Sequence, residues 1–167
     1  NADEIYAAYD DIVRRLGARD PGLRIKVQSM VRDGREVILG VSRDPQYGPL
    51  LMFGLGGIHV EILRDVAVRV HPITDVQARE MITSIRGYPL LAGARGERPS
   101  DLAILESSLL RLSALVAEFP SIEEMDINPF IVSDRPGKSL IVDARVRVAT
   151  PARAATSRRD SPATRPT

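Results

Sequence analysis

Asp126, Asn128 and Asp143 are the residues of this chain whose types and spacing point most directly to chemistry. Asp126 and Asn128 lie in the run Ile122 to Val132, and Asp143 closes the apolar run Ser139-Leu140-Ile141-Val142. Both runs are rich in β-branched residues, and Ser133-Asp134-Arg135-Pro136-Gly137-Lys138 between them is turn chemistry, which predicts a hairpin. Alternate side chains of a strand share a face, so Asp126 and Asn128 point one way and Ile127 the other. Asp143 reaches the same face if the second strand runs antiparallel. Two carboxylates and one amide oxygen then converge, and buried carboxylates are costly unless paired or metal-bound. A hard divalent cation is the natural partner, because Mg²⁺ takes oxygen ligands and leaves room for water and phosphate. A strand-end or turn role is sufficient for Asp126 alone; the three residues together favour a metal. Pro129 holds Asn128 out of the helical region and lacks a ladder donor, as at an edge or bulged strand beside a site.

Three further stretches carry candidates. Gly54, Gly56 and Gly57 lie in Phe53-Gly54-Leu55-Gly56-Gly57-Ile58-His59-Val60-Glu61, where small residues let backbone N–H groups approach an anion. No long helix follows, so the turn is neither a Rossmann fingerprint nor a P-loop; Glu61 could face the same site. Gln28-Ser29-Met30-Val31 and Gly34-Arg35-Glu36 form the second stretch, where a strand edge could bond an adenine and a nearby carboxylate the ribose hydroxyls. Arg95, in Gly93-Ala94-Arg95-Gly96, is suited to a phosphate or acyl-phosphate charge, although a solvated loop arginine is the competing reading. His59 and His71 are read as structural or surface histidines.

The positioning elements follow from periodicity. Residues 2–16 repeat apolar positions at helical spacing, with acids early and arginines late, and Gly17 stops the helix. Leu23 to Met30 alternates as a strand, Asp33-Gly34 reads as a hairpin turn, and residues 35–42 return as its partner. Short strands are expected at 50–53 and 66–70. A helix capped by Thr74-Asp75 runs to about Ile85 and is broken at Gly87-Tyr88-Pro89. Residues 90–99 read as a flexible loop, and a long amphipathic helix from Ser100-Asp101 to about Glu118 leads into the hairpin. The expected fold class is α+β: an antiparallel sheet with helices packed on one face.

At 167 residues the chain fits one domain or part of a larger one. A net charge of +1 gives no electrostatic sign of nucleic-acid or membrane binding. Residues 151–167 hold four Arg and one Asp, so the tail carries +3 and the remainder −2. Residues 149–167 lack periodicity and are expected to form a disordered basic tail. Without cysteine there is no disulfide or thiol chemistry. No transmembrane run or signal-peptide pattern is visible, and the cytoplasm is the expected compartment.

The ordered set Gln28-x-Met30, Gly34-x-Glu36, Gly40-Val41-x-x-Asp44-Pro45-x-Tyr47-Gly48-Pro49, Phe53-Gly54-x-Gly56-Gly57-x-x-Val60-Glu61, Asp65-Val66, Arg69-x-x-Pro72, Gly87-Tyr88-x-Leu90-Leu91-x-Gly93-x-Arg95-Gly96 and Asp126-Ile127-Asn128-Pro129 resembles the ATP-grasp part of NDP-forming acyl-CoA synthetases. The family includes the ADP-forming acetate–CoA ligases, with succinyl-CoA synthetase a more distant relative. The resemblance spans roughly residues 1–148 and implies the C-terminal part of an ATP-grasp fold. It implies adenine near Gln28–Val31, ribose near Glu36, and Mg²⁺ on Asn128 and Asp143 with Asp126 nearby. It further implies ATP and ADP as ligands, CoA as a co-substrate held on other domains, and an oligomeric assembly.

In the family the γ-phosphoryl passes to a histidine on a mobile loop, then to the acyl group, and CoA displaces it. Phosphoryl transfer needs mainly positioning and charge neutralisation, which Mg²⁺ and arginines such as Arg95 would supply. The family's N-terminal lobe, with its phosphate-binding lysine, and its CoA-binding and phosphohistidine domains have no counterpart in this sequence. His59 and His71 do not match the phosphorylated histidine. The chain alone is therefore expected to be catalytically incomplete. The alternative reading is a degenerate, synthetase-like regulatory domain of a protein lysine acetyltransferase.

Overall fold

The computed structural model describes residues 1–31, 33–57 and 65–149. The chain divides into two compact units, Asn1–Arg32 and Asp33–Thr167. The first holds helix α1, Ala2–Leu16, whose Asn1 side chain accepts the Glu4 N–H while Glu4 reaches back to residue 1. This is the helix expected from the sequence, and none of its residues is buried.

The strand expected at 23–30 is absent: residues 23–31 have no ladder partner. Alternation marks a surface that suits a sheet, but a strand also needs a neighbour to take its backbone hydrogen bonds. The expected hairpin partner, β1 (Arg35–Asp44), has both edges engaged by other strands. It turns through Asp44, whose Oδ1 accepts the Gln46 and Tyr47 N–H groups, into β2 (Gly48–Leu55).

Among the described residues, the second unit is built on a six-stranded antiparallel sheet. Strand β3 (Val66–Val70) pairs β2, and β4 (Ile122–Val132) pairs the other edge of β1. The short strands β5 (Leu140–Ile141) and β6 (Ala144–Val148) lie in succession along the far edge of β4. The expected hairpin is therefore present, with its second arm interrupted at Val142-Asp143.

Helices α2 (Asp75–Ser84), α3 (Tyr88–Leu91) and α4 (Leu102–Glu118) all lie in the connection from β3 to β4. Thr74 and Asp101 cap α2 and α4 with their side chains. The loop expected at 90–99 is partly ordered, because α3 continues to Leu91 and Ala94–Gly96 forms a 3₁₀ turn. Alternation along the strands decides which face is covered. Val37, Leu39, Val41, Leu51, Phe53 and Ile127 form one core with Met81 and Ile82 of α2, Leu91, and Leu105 and Leu109 of α4. Each such aliphatic or aromatic side chain, once buried, contributes roughly 1.5–3 kcal/mol. Glu36, Asp126 and Asn128 lie on the opposite side and are exposed, although Ile38, Gly40 and Ile131 on that side are buried. The expected α+β class, with helices packed on one face, is the observed one. Of the expected tail, residues 150–167 lie outside the described residues, while the Ala149 amide still donates to the Ser121 carbonyl at 2.8 Å.

Candidate functional site

The register between β1 and β4 breaks at one point. Val37 faces Phe130 and Leu39 faces Ile127, so Asn128 and Pro129 together oppose Ile38. This is a β-bulge, the feature that Pro129 suggested, though β4 is an interior strand and not an edge. On its other side β4 keeps one register from Glu124 to Ile131: Asp126 faces Arg145, Ile127 faces Ala144, and Phe130 faces Ile141. Asn128 therefore lies opposite Asp143, and its N–H donates to the Asp143 carbonyl at 3.1 Å. The bulge and the interruption in the second arm meet at this pair.

Asp126, Asn128 and Asp143 are all exposed, and Ile127 between the first two is buried, as alternation requires. The expectation of a buried carboxylate cluster is corrected accordingly: the oxygens are open to water, and no burial penalty calls for a cation. Asp143 meets a cation of the chain itself, since its Oδ2 lies 3.5 Å from Arg145 Nε. Among the described residues no group of three or more His, Cys, Asp or Glu side chains is poised to hold a metal. The set here is two carboxylates and an amide oxygen, which suits a hydrated Mg²⁺ that keeps several waters and takes few protein ligands.

A second cluster joins two stretches that the sequence presented separately. The Gly56 N–H donates to the Glu36 carbonyl at 2.7 Å. A Cβ at Gly56 would sit 2.8 Å from Glu36 Cβ, and one at Gly57, where φ is +66°, would sit 3.0 Å from Glu36 Oε2. The glycines thus let the turn after β2 close on the Glu36 carboxylate. The Gly56 amide is engaged by β1, which corrects the expectation that it would be offered to an anion. Glu36 shares a face with Gly40, and Gly40 faces Asp126, so the acidic ligand set and Glu36 look out from the same side of the sheet.

Arg95 lies in the 3₁₀ turn Ala94–Gly96. Arg35, next to Glu36, pairs with Glu97 just beyond that turn and ties it to the start of β1. The Ser100 N–H donates to the Leu91 carbonyl and the Asp101 N–H to the Ser133 carbonyl, both at 2.8 Å, fixing the rest of the loop. Arg35 and Glu97 had no signal in the sequence, because nothing in local spacing announces a partner sixty-two residues away.

The remaining candidates separate. Glu61 and His59 lie outside the described residues. Gln28, Ser29 and Met30 are exposed and Val31 is half-buried, within the first unit. His71 is structural, as expected: its Nε2 is 3.1 Å from the Ser113 carbonyl of α4.

Residues 1–148 match the family model of the ATP-grasp domain. Over 123 residues the chain is 50% identical to the beta subunit of an ADP-forming acetate–CoA ligase II from Pyrococcus furiosus, covering 73% of this chain and 52% of that protein. Over 149 residues it is 40% identical to an ADP-forming 4-hydroxybutyrate–CoA ligase from Nitrosopumilus maritimus, covering 87% and 21%. A solved structure with TM-score 0.77 and 38% identity covers 89% of this chain and 65% of its own. It is the dinucleotide-forming acetyl-coenzyme A synthetase 1 of Ca. Korarchaeum cryptofilum, in complex with coenzyme A and Mg-AMPPCP, its phosphohistidine segment pointing towards the nucleotide-binding site. The chain spans about half the length of the Pyrococcus beta subunit it matches. These relatives are ligases and synthetases, and nothing among them supports the regulatory alternative.

Proposed function

We propose, for a chain that belongs to the ATP-grasp domain family, that it is the nucleotide-holding part of an ADP-forming acyl-CoA synthetase. The observation that carries the reading is the Asn128–Asp143 pair at the bulge, on the same side of the sheet as Glu36. Asp126, Asn128 and Asp143 would hold Mg²⁺, which when bound neutralises phosphate charge and fixes phosphate orientation.

Each candidate residue has a bounded task in this reading. Gln28–Val31 would flank the adenine, and the Glu36 carboxylate would accept hydrogen bonds from the ribose hydroxyls. Gly56 and Gly57 keep that carboxylate uncrowded. Arg95 would bind the negative charge of the phosphoryl group in flight, since a guanidinium offers several donors in a fixed plane. Glu61 keeps its place by motif alone.

The reaction proposed for the whole protein is carboxylic acid plus CoA plus ATP giving acyl-CoA, ADP and phosphate. The γ-phosphoryl leaves ADP for a histidine of the CoA-binding partner, moves to the acid as an acyl phosphate, and departs as phosphate when the CoA thiolate attacks the carbonyl. The partners are the CoA-binding and phosphohistidine domains, and the compartment is the cytoplasm. No helix of the described residues is long and apolar enough to cross a membrane.

The test is turnover of the protein reconstituted with its CoA-binding partner, given acetate, CoA and Mg·ATP. The reading expects ADP and phosphate in step with acetyl-CoA. Formation of AMP and pyrophosphate, or no nucleotide turnover at all, would overturn it.

A further inference from the structure

We propose that Asp65 is a positioning residue for this site: it clamps the segment that leads to Arg95 onto the end of the strand that leads to Gly56 and Gly57. The inference rests on the reading of Arg95 as a phosphoryl ligand. Asp65 directly precedes β3. Its Oδ1 accepts the Arg86 N–H and its Oδ2 the Gly87 N–H, each at 2.7 Å. Two short, charge-assisted bonds to consecutive amides fix both the distance and the orientation of that backbone.

Those amides lie where the chain leaves α2, one and two residues past its C-cap at Ile85. Gly87 has no room for a side chain: a Cβ there would sit 2.1 Å from Leu55 Cδ1 and 3.3 Å from Asp65 Oδ2. The backbone of Gly87 thus rests on the end of β2, with Gly56 and Gly57 next along the chain. Asp65 meets β2 directly as well, since a Cβ at Gly54 would sit 2.9 Å from the Asp65 carbonyl oxygen. From Gly87 the chain enters α3, is pinned by the wholly buried Leu91, and reaches Arg95 four residues later. The Arg35–Glu97 pair holds the far side of the same segment. Asp65 therefore links the backbone that leads into the arginine turn to the end of the strand that leads into the glycine turn. In the proposed reaction it touches no reacting atom.

The competing role is purely structural, a carboxylate that caps the exit of α2 and nothing more. A double-mutant cycle in the intact, reconstituted protein separates the two. Asp65→Asn keeps the size of the side chain but sets an amide where one acceptor was. The expected result is a fall in kcat of at least about tenfold, the scale of a small misplacement of a catalytic group. KM for CoA stays unchanged, and the melting transition stays well above the assay temperature. In an Arg95→Ala background the same substitution has no further effect on kcat. Asp65→Glu, which retains the carboxylate, recovers most of the loss.

If Asp65→Asn does not fold, Asp65→Ser, which keeps one hydroxyl acceptor in place of the carboxylate, carries the cycle and is expected to lower kcat only while Arg95 is present. An unchanged kcat, or a loss that multiplies with that of Arg95→Ala, overturns the proposal. Full activity of Arg95→Ala beside an active wild type overturns the Arg95 reading and Asp65's role together. Absence of ADP-forming turnover in the wild type overturns the proposed function itself, and with it this inference.

Discussion

Asn128 of β4 lies opposite Asp143 in the break between β5 and β6, and the Asn128 N–H donates to the Asp143 carbonyl at 3.1 Å. The backbone makes the connection, so neither side chain is needed for it. Both residues are exposed. Asn128→Ala and Asp143→Ala are therefore expected to change folding stability by no more than about 0.5 kcal/mol, while each weakens Mn²⁺ binding measured by titration in the presence of ATP. Denaturant unfolding checks the first statement. A variant that unfolds early would instead give these residues a structural role.

Arg145 pairs with Asp143 on the solvent side, with side chains 81% and 53% exposed. Exposed pairs of this kind contribute about 0–1 kcal/mol. Arg145→Ala should leave stability nearly unchanged and tighten the binding of Mg²⁺ alone, because it removes the cation that competes for Asp143. Weaker binding would mean that Arg145 orients the carboxylate instead of occupying it.

Glu36 is set by Gly57, and the proposed ribose contact has a chemical test. Glu36→Gln should cost roughly 1.5 kcal/mol of ATP affinity, the scale of a hydrogen bond to a charged group, and should leave 2′,3′-dideoxy-ATP binding unaffected. Equal losses for both nucleotides would place Glu36 elsewhere than at the ribose. Gly57→Ala should mimic the loss for ATP by crowding Glu36 Oε2.

Phe53 is wholly buried among β1, β2 and the helices. Phe53→Ala should cost about 3–5 kcal/mol through lost transfer energy and a residual cavity. The denaturation midpoint of the second unit reports it.

Asp11 on α1 is flanked by Arg14 and Arg15, whose guanidinium groups hold its carboxyl below the usual aspartate value. A depressed folded-state pKa stabilises above the ordinary aspartate pKa and is lost as pH falls through the folded value. Helix content of residues 1–32 should therefore decline on strong acidification, and Asp11→Asn should flatten that decline. Far-UV circular dichroism across the acid range measures it.

The elements legible in the sequence are those whose signals are local. The 3.6-residue pattern of α1 and α4, the Thr74 and Asp101 caps, and the two apolar runs around a polar turn all gave structure where expected. Residues 23–30 failed because alternation describes a surface and says nothing about a partner, and the edges of β1 are taken by β2 and β4. The facing of Asn128 and Asp143 was legible because the two apolar runs that carry them are joined by a short turn. The closure of Gly56 and Gly57 on Glu36, the Arg35–Glu97 tie and the Asp65 clamp were not, since each joins residues that only the folded sheet brings together.

The most direct test of the central claim is calorimetric titration of ATP into the intact protein, with Mg²⁺ and with EDTA, for wild type and Asp143→Ala. The reading predicts that Mg²⁺ tightens ATP binding to wild type markedly and that this gain disappears in the variant. A gain of the same size in both proteins would contradict the assignment of Asp143 to the metal, and with it the site described here.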